Sequence, residues 1–149
     1  MIFLDTMALL YYVSDSPRLP AILREEIVST ETVYVSVASI WEIGIKGNLG
    51  RFRVGWSEFS SSAALETLVA TCRSEKFLVL PINADHACVA PFLPGDHKDP
   101  FDRMIVAQAV ERNATLLSND AALDMLSPAL RRKWEAPTRK LPSAHERCR

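Results

Sequence analysis

Acidic side chains occur at positions where carboxylates can do chemistry: Asp5, Glu42, Asp102 and Asp120. Asp5 directly follows the apolar residues 2–4, and Asp120 lies just beyond the apolar residues 115–117. Both runs are typical of buried strands, and functional groups in open parallel sheets collect at the carboxyl ends of the strands. A carboxylate in that position needs water, hydrogen-bond donors or a cation to offset its desolvation.

The other acids lie in predicted helices, and each also has an ordinary structural explanation. Glu42 is followed by Lys46 at i+4, which favours a helix ion pair. Asp99 and Asp102 occupy the N-cap and N3 positions of a helix that begins with a proline, so they suit capping and the helix dipole. From N3, Asp102 can also project toward the sheet edge. Asp120 likewise suits the N-cap of a following helix.

Carboxylates that converge at one sheet edge repel one another and raise one another's pKa. The usual relief is a hard divalent cation. Mg²⁺ or Mn²⁺ takes oxygen ligands and keeps several waters, so an all-carboxylate site suits either ion better than zinc. Such a site activates water and neutralises charge on a phosphodiester during in-line displacement. The histidines, His86, His97 and His145, have no ligand spacing, and we expect them to be surface residues outside this chemistry.

The elements that must position these acids are short apolar runs alternating with longer helical patterns. The runs predict strands at residues 2–4, 33–35, 77–80 and 115–117, and the periodic segments predict helices at residues 17–29, 36–46, 56–72, 83–92, 100–112 and 121–126. Strands separated by helices require crossover connections and therefore a parallel sheet. The sequence predicts a single α/β domain of three layers.

Composition is consistent with a soluble domain, but the charge is divided unevenly. The 149 residues are 48% hydrophobic and 23% charged, which argues against disorder and coiled coil. Residues 131–149 hold seven Lys or Arg and two Asp or Glu, a net of +5, whereas residues 1–130 carry −6. Cys72, Cys88 and Cys148 show no CxxC spacing, which favours a reducing cytoplasm over a disulfide framework. No run approaches the ~18 apolar residues of a membrane helix, so we expect a cytoplasmic protein with no membrane contact.

The order of Asp5, Glu42, Asp102 and Asp120 resembles the acidic quartet of PIN-domain ribonucleases. The segments FLDTMALLYY, SVASIWEIGIK, HKDPFDRMIVAQA and TLLSNDAALD resemble VapC-type toxins of bacterial type II toxin–antitoxin pairs, over roughly residues 1–127. The resemblance implies an α/β fold, a PIN-like three-layer α/β/α sandwich with a central parallel sheet. The PIN-like nuclease domain would comprise residues 1–130. The loss of apolar periodicity and the division of charge predict a basic C-terminal extension at residues 131–149.

The resemblance also implies roles for the acids. Asp5 and Asp102 would coordinate Mg²⁺, with Mn²⁺ as a possible substitute, and Asp120 would complete the site directly or through water. Glu42 would position the metal-bound water or act as its general base. The implied activity is Mg²⁺-dependent endoribonuclease cleavage of RNA phosphodiester bonds by the toxin of a VapBC-type pair.

Supporting residues and partners follow from the same resemblance. Thr6 and Ser118 match positions of hydroxyl groups that support the site, and Lys46 supports Glu42. Together with Lys46, the basic residues Lys98 and Arg103 would offset the repulsion between the acids and RNA. The family's toxins form homodimers, are covered by a cognate VapB-like antitoxin, and reach operator DNA only through the antitoxin complex.

Other protein classes fit the sequence less well. A haloacid-dehalogenase-like phosphatase needs a second Asp two residues after the first, where this chain has Met7. A dinucleotide-binding domain needs a glycine-rich turn after the first strand, but the first glycine is Gly44. The remaining alternative is a non-catalytic PIN-like nucleic-acid-binding module, in which the acids only cap helices and the basic tail neutralises phosphates.

Overall fold

The centre of the protein is a parallel sheet of five strands. The structure, a computed structural model, describes residues 1–50 and 57–135. The strands follow the spatial order β3-β2-β1-β4-β5, with the bounds β1 (Ile2–Leu4), β2 (Val33–Ser36), β3 (Leu78–Leu80), β4 (Thr115–Leu117) and β5 (Arg131–Lys133). Every neighbouring pair is parallel. The predicted parallel sheet is confirmed, and Asp5 directly follows its middle strand β1.

Helices connect the strands, and most of them match the predicted segments to within a few residues. Their bounds are α1 (Thr6–Val13), α2 (Ala21–Ser29), α3 (Val37–Asn48), α4 (Ser62–Ser74), α5 (Ala84–Val89) and α6 (Pro100–Glu111), with 3-10 turns at Ser57–Phe59, Ala90–Phe92 and Ala121–Leu126. The helix predicted over 56–72 is a 3-10 turn followed by α4, and residue 56 lies outside the described residues. Within the described ranges, no helix combines the length and apolar character needed to span a bilayer.

Two hydrophobic cores lie on opposite faces of the sheet. Side chains alternate along a strand, so Ile2 and Leu4 pack on one face and Phe3 on the other. The first core includes buried residues from α1, α2 and α4. The second is formed with Ile105 and Ala109 of α6. The three-layer α/β/α sandwich is therefore confirmed.

Helix α1 follows Asp5 directly, and the sequence pattern does not predict it. Its residues TMALLYYV are apolar on almost every side, so they show no amphipathic stripe. Burial on most sides explains that composition, since Thr6 and residues 8–11 are buried. Asp5 caps the helix by accepting a hydrogen bond from the Ala8 backbone N–H at 2.6 Å. An Asp before a continuous apolar run is the available signal for this helix.

Strand β5 lies within the segment predicted as an irregular basic extension. It pairs with β4, so the predicted boundary at residue 130 falls before the last strand and the sheet continues to Lys133. Arg132 donates to both carboxylate oxygens of Asp124 at 2.8 and 2.9 Å, and Lys133 Nζ lies 2.7 Å from Glu26 Oε2. These cations therefore hold an edge strand in place, which explains its lack of apolar residues. Residues 136–149 lie outside the described part of the chain.

Candidate active site

Asp5 lies between the end of β1 and the start of α1 and is only 6% exposed. Its backbone N–H donates to the Leu117 carbonyl at 3.2 Å, which fixes it against the end of β4. Its carboxylate accepts hydrogen bonds from the Ala8 N–H and the Ser118 side chain. Desolvation is the largest effect, and together with the charges of Asp102 and Glu42 it outweighs these donors and raises the pKa of Asp5 to about 6.

Glu42 is buried in α3 and both of its carboxylate oxygens are engaged. Oε1 forms an ion pair with Lys46, which confirms the predicted i+4 contact. Oε2 accepts a hydrogen bond from the Thr6 hydroxyl at 2.5 Å, and the same hydroxyl contacts the Ser39 hydroxyl at 3.2 Å. Glu42 is thus held in one orientation, close enough to Asp5 for its charge to act on that carboxyl.

Asp102 lies in the first turn of α6, after the N-cap residue Asp99. Asp99 accepts hydrogen bonds from the backbone N–H groups of Phe101 and Asp102 at 2.8 and 3.2 Å, so its predicted capping role is confirmed. Burial raises the pKa of Asp102, and the charges of Asp99 and Glu42 add to that effect, while a hydrogen bond to His97 opposes it. The carboxyl of Asp102 therefore belongs to the same electrostatic cluster as Asp5 and Glu42.

Asp120 approaches this cluster from the end of β4. It caps the following 3-10 turn by accepting from the Ala122 N–H at 2.9 Å, and its own N–H donates to the Ser118 hydroxyl at 3.1 Å. Possible ligand atoms of His97, Asp102 and Asp120 all lie within 4.8 Å of one another. Ser118 therefore contacts both Asp5 and Asp120, which links the ends of β1 and β4.

His97 is a site residue that the sequence analysis missed. Its side chain is only 16% exposed, and its Nε2 lies 2.7 Å from Asp102 Oδ2. The expected surface position away from the acids is wrong because the loop before α6 folds back toward the first turn of that helix. The available sequence signal is position: His97 lies two residues before Asp99, the N-cap of the helix that carries Asp102.

Arg103 holds this loop in shape. Its guanidinium donates to the carbonyls of His97, Leu93 and Gly95 at 2.5, 2.7 and 2.7 Å. Gly95 has a positive φ of 81° and contacts the Met125 side chain so closely that a Cβ would clash. These contacts are all with neutral backbone carbonyls and leave the positive charge in place, so the role of Arg103 in offsetting the acids toward RNA stays a prediction.

His86, the other histidine in the described residues, contacts Glu111 rather than the acids of the candidate site. His86 is 4% exposed, so the surface position expected for it is wrong. It takes part in a capping box at the start of α5 with Asn83, and its Nε2 lies 2.7 Å from Glu111 Oε2. That contact lowers the pKa of Glu111. His86 has a structural role, and His145 lies outside the described residues.

The arrangement brings carboxylates from three parts of the chain to the carboxyl ends of the central strands. Asp102 and Asp120 offer oxygen atoms and His97 a nitrogen within one group of possible ligand atoms, while Asp5 lies outside that group and is linked to it by electrostatic interaction with Asp102. Carboxylate oxygens are ligands that suit Mg²⁺ or Mn²⁺. Fold and site together define a three-layer α/β protein with an acidic site at its sheet edge. The sequence matches the PIN domain family over residues 2–127, and the chain belongs to that family, whose members are generally nucleases.

Solved structures with the same fold include chains of VapBC and FitAcB. The chain is similar to a chain of VapBC2 from Rickettsia felis bound to a promoter DNA fragment, with 17% identity, a TM-score of 0.63, and 89% of this chain and 98% of that chain covered. A chain of DNA-bound VapBC from Salmonella typhimurium is 18% identical, with a TM-score of 0.62, and the match covers 89% of this chain and 96% of that chain. A chain of FitAcB from Neisseria gonorrhoeae is 16% identical, with a TM-score of 0.59, and the match covers 89% of this chain and 96% of that chain. No curated protein matches the sequence significantly.

Proposed function

We propose that this protein is a divalent-metal-dependent endoribonuclease that acts as the toxin of a VapBC-type toxin–antitoxin pair. The observation that carries the proposal is the buried carboxyl of Asp5 at the end of the central strand. The negative charges of Asp102 and Glu42 act on this carboxyl. Membership of the PIN domain family supports nuclease chemistry. Similarity to chains of VapBC complexes supports the toxin assignment.

The electrostatics of the site fit a bound cation. Burying several mutually repelling carboxylates costs free energy, and the raised pKa of Asp5 and of Asp102 reflects that cost. Asp5, Asp102 and Asp120 would hold Mg²⁺, or Mn²⁺ in its place. When bound, the ion supplies charge neutralisation at the phosphodiester and activation of water for in-line displacement.

The remaining residues hold and orient the reacting groups. Ser118 fixes the carboxylate of Asp5, while Thr6 and Lys46 each engage one oxygen of Glu42. We assign Glu42 to position the attacking water or to accept its proton. The water oxygen attacks phosphorus, one P–O ester bond breaks, and the leaving oxygen takes up a proton.

The proposal includes partners and location. A cognate VapB-like antitoxin would cover the site, the toxin would form a homodimer, and operator DNA would be contacted only through the antitoxin complex. The two structural neighbours named VapBC are both bound to DNA, and they support this arrangement. We place the protein in the cytoplasm, consistent with the absence of disulfides among the described cysteines, Cys72 and Cys88.

Cleavage of a panel of structured and single-stranded RNAs tests the function. The wild-type protein should cleave at least one RNA in Mg²⁺ and none in EDTA. Asp5→Asn and Asp102→Asn should each lower the rate by about 100-fold or more, because each removes charge that holds the cation. Asp96→Asn is the matched control, since Asp96 is an exposed acid of the adjacent loop, and its rate should stay within about 2-fold of wild type.

The possible results separate the proposal from its rival. Cleavage that survives both site substitutions, or that is indifferent to EDTA, contradicts the catalytic assignment. RNA binding by the wild type without any cleavage supports the non-catalytic binding module instead. Contacts of β5 weigh against that module, because three cations of the basic segment, Arg131, Arg132 and Lys133, already bind protein groups.

A further inference from the structure

An aromatic pair lies beside the acid cluster and has no part in the proposed chemistry. Trp41 of α3 and Phe101 of α6 meet edge to face, with ring centroids 5.3 Å apart and planes at 82°. In sequence, Trp41 immediately precedes Glu42 and Phe101 immediately precedes Asp102. The pair therefore joins the two helices that carry these acids, next to the site.

Trp41 is unusually exposed for its type. Its exposed fraction is 60%, whereas tryptophan side chains are on average highly buried. Its partner is fixed, because the Phe101 backbone N–H donates to Asp99 in the cap of α6. An exposed indole in edge contact with a second ring offers a stacking platform, since any nucleobase can stack on its free surface.

A cation that suits a nucleic-acid backbone lies in the same region. Lys46 is paired with Glu42, and Arg103 is engaged by carbonyls of the loop before α6. Lys98, between His97 and Asp99, is exposed and forms no ion pair with any residue in the described ranges. An aromatic platform with a nearby free cation is the combination that binds single strands.

We propose that Trp41, supported by Phe101, stacks on an unpaired base of the RNA substrate while Lys98 contacts the backbone beside it. This inference rests on the proposed ribonuclease function and narrows its substrate to single-stranded segments or loops. A base inside a duplex has both faces covered by its neighbours, so it cannot stack on a protein side chain. Duplex RNA of the same sequence should therefore gain nothing from Trp41.

A protein partner is the rival occupant of this surface. Val37, Trp41, Ile45 and Leu49 recur every fourth residue of α3 and are each 36–60% exposed, which is an apolar stripe that a protein could cover. Within this stripe, Trp41 contacts Phe101, the residue before Asp102, and Lys98 lies three residues before Phe101. The position of Trp41 among these groups favours RNA. Ile45, one turn further along α3, provides a matched control.

The test measures RNA affinity by fluorescence anisotropy with the full chain. Asp5→Asn serves as the parent, in Mg²⁺, so that bound RNA is not cut. The probes are a labelled random 20-nucleotide single-stranded RNA pool, the tightest-binding oligonucleotide recovered from it, and that oligonucleotide annealed to its complement. Adding Trp41→Ala should weaken single-strand binding about 10-fold or more. Adding Trp41→Phe should keep most of the affinity, and adding Ile45→Ala should change it less than about 2-fold. Duplex affinity should be unaffected by all three.

Abasic substitution locates the stacked base. Each base of the oligonucleotide is removed in turn, and at one position the loss of affinity should not add to that of Trp41→Ala. Unchanged single-strand affinity in Trp41→Ala overturns the stacking proposal, and if wild type still cleaves RNA the proposed function stands. Equal changes of oligomeric state and affinity in Trp41→Ala and Ile45→Ala overturn it in favour of a protein interface. Absence of both binding by the parent and cleavage by the wild type overturns the inference and the function together.

Discussion

His97 Nε2 lies 2.7 Å from Asp102 Oδ2, and the carbonyl of His97 accepts a hydrogen bond from Arg103, the residue after Asp102. The first turn of α6 thus contacts both the side chain and the backbone of the loop that precedes it. This relationship ties the position of a carboxylate in the candidate site to the conformation of a loop. Several expected outcomes follow from it and from the electrostatics of the site.

His97→Ala is expected to weaken divalent-cation binding. The imidazole contacts Asp102 and lies with Asp102 and Asp120 in one group of possible ligand atoms, so its loss frees Asp102 to reorient. We expect a drop of about 10-fold in Mn²⁺ affinity, the lower range for loss of a group that orients a ligand. Isothermal titration calorimetry measures it, with Asp96→Asn as the control. Equal affinities for wild type and His97→Ala would show that the histidine has no role at the site.

Asp5→Asn is expected to stabilise the metal-free protein at neutral pH. The pKa of Asp5 is about 6 in the folded protein against an ordinary 3.8, so the folded state holds this proton more tightly than the unfolded chain. The stability from this group is therefore full below pH 4 and is lost as the pH rises through 6. A shift of this size corresponds to about 3 kcal/mol, and asparagine can still accept the Ala8 hydrogen bond.

Urea denaturation in EDTA at pH 4 and pH 7.5 measures this effect. The variant should exceed the wild type in free energy of unfolding at pH 7.5 and match it at pH 4. Adding Mg²⁺ at pH 7.5 should stabilise the wild type and leave the variant nearly unchanged. A variant that is less stable than wild type at pH 7.5 in EDTA would refute the electrostatic description of Asp5.

Arg103→Lys is expected to loosen the loop before α6. A lysine keeps the charge but cannot span the carbonyls of His97, Leu93 and Gly95 with three hydrogen bonds of good length. If the lysine keeps one of the three bonds, the other two at about 1 kcal/mol each make the loss about 2 kcal/mol. In the variant, amide hydrogen exchange in residues 90–97 should be faster than in the wild type, whereas exchange in β1 should be unchanged. Unchanged protection of that segment would mean that the guanidinium does not hold the loop.

Two truncations of the basic segment are expected to differ in stability, because only one of them removes β5. Removing residues 131–149 deletes the edge strand together with the Arg132–Asp124 and Lys133–Glu26 ion pairs, and should lower the free energy of unfolding by at least about 2 kcal/mol. Removing only residues 136–149 leaves every described contact of β5 in place, so cooperative unfolding should be retained. Comparable thermal melts for the two truncations would contradict this role of β5.

The central strands and most helices were predictable because their sequence signals are local. Residues 2–4 and 115–117 are short apolar runs between polar segments, and α6 begins with Asp99 and a proline in good capping positions. The positions of Asp5 and Asp120 at strand ends follow from those runs. These local patterns, with the rule that functional groups collect at the carboxyl ends of parallel strands, were sufficient to predict that these acids share one sheet edge.

Features that depend on distant contacts were not predictable in the same way. Helix α1 is buried on most sides and so has no stripe, and β5 is a charged edge strand whose Lys133 pairs with Glu26, 107 residues away. His97 joins the site only because Arg103 and the cap of α6 fold the loop back on itself. Each of these depends on tertiary partners that no short window of sequence contains.

The most direct test of the central claim is an anomalous difference map from a crystal of the protein grown with Mn²⁺. We expect a Mn²⁺ peak contacted by carboxylate oxygens of Asp5 and Asp102, with Asp120 a direct or water-mediated neighbour. The same map from Asp102→Asn crystals should show the peak lost or strongly reduced. A wild-type crystal saturated with Mn²⁺ that shows no peak at the carboxyl end of β1 would contradict the account.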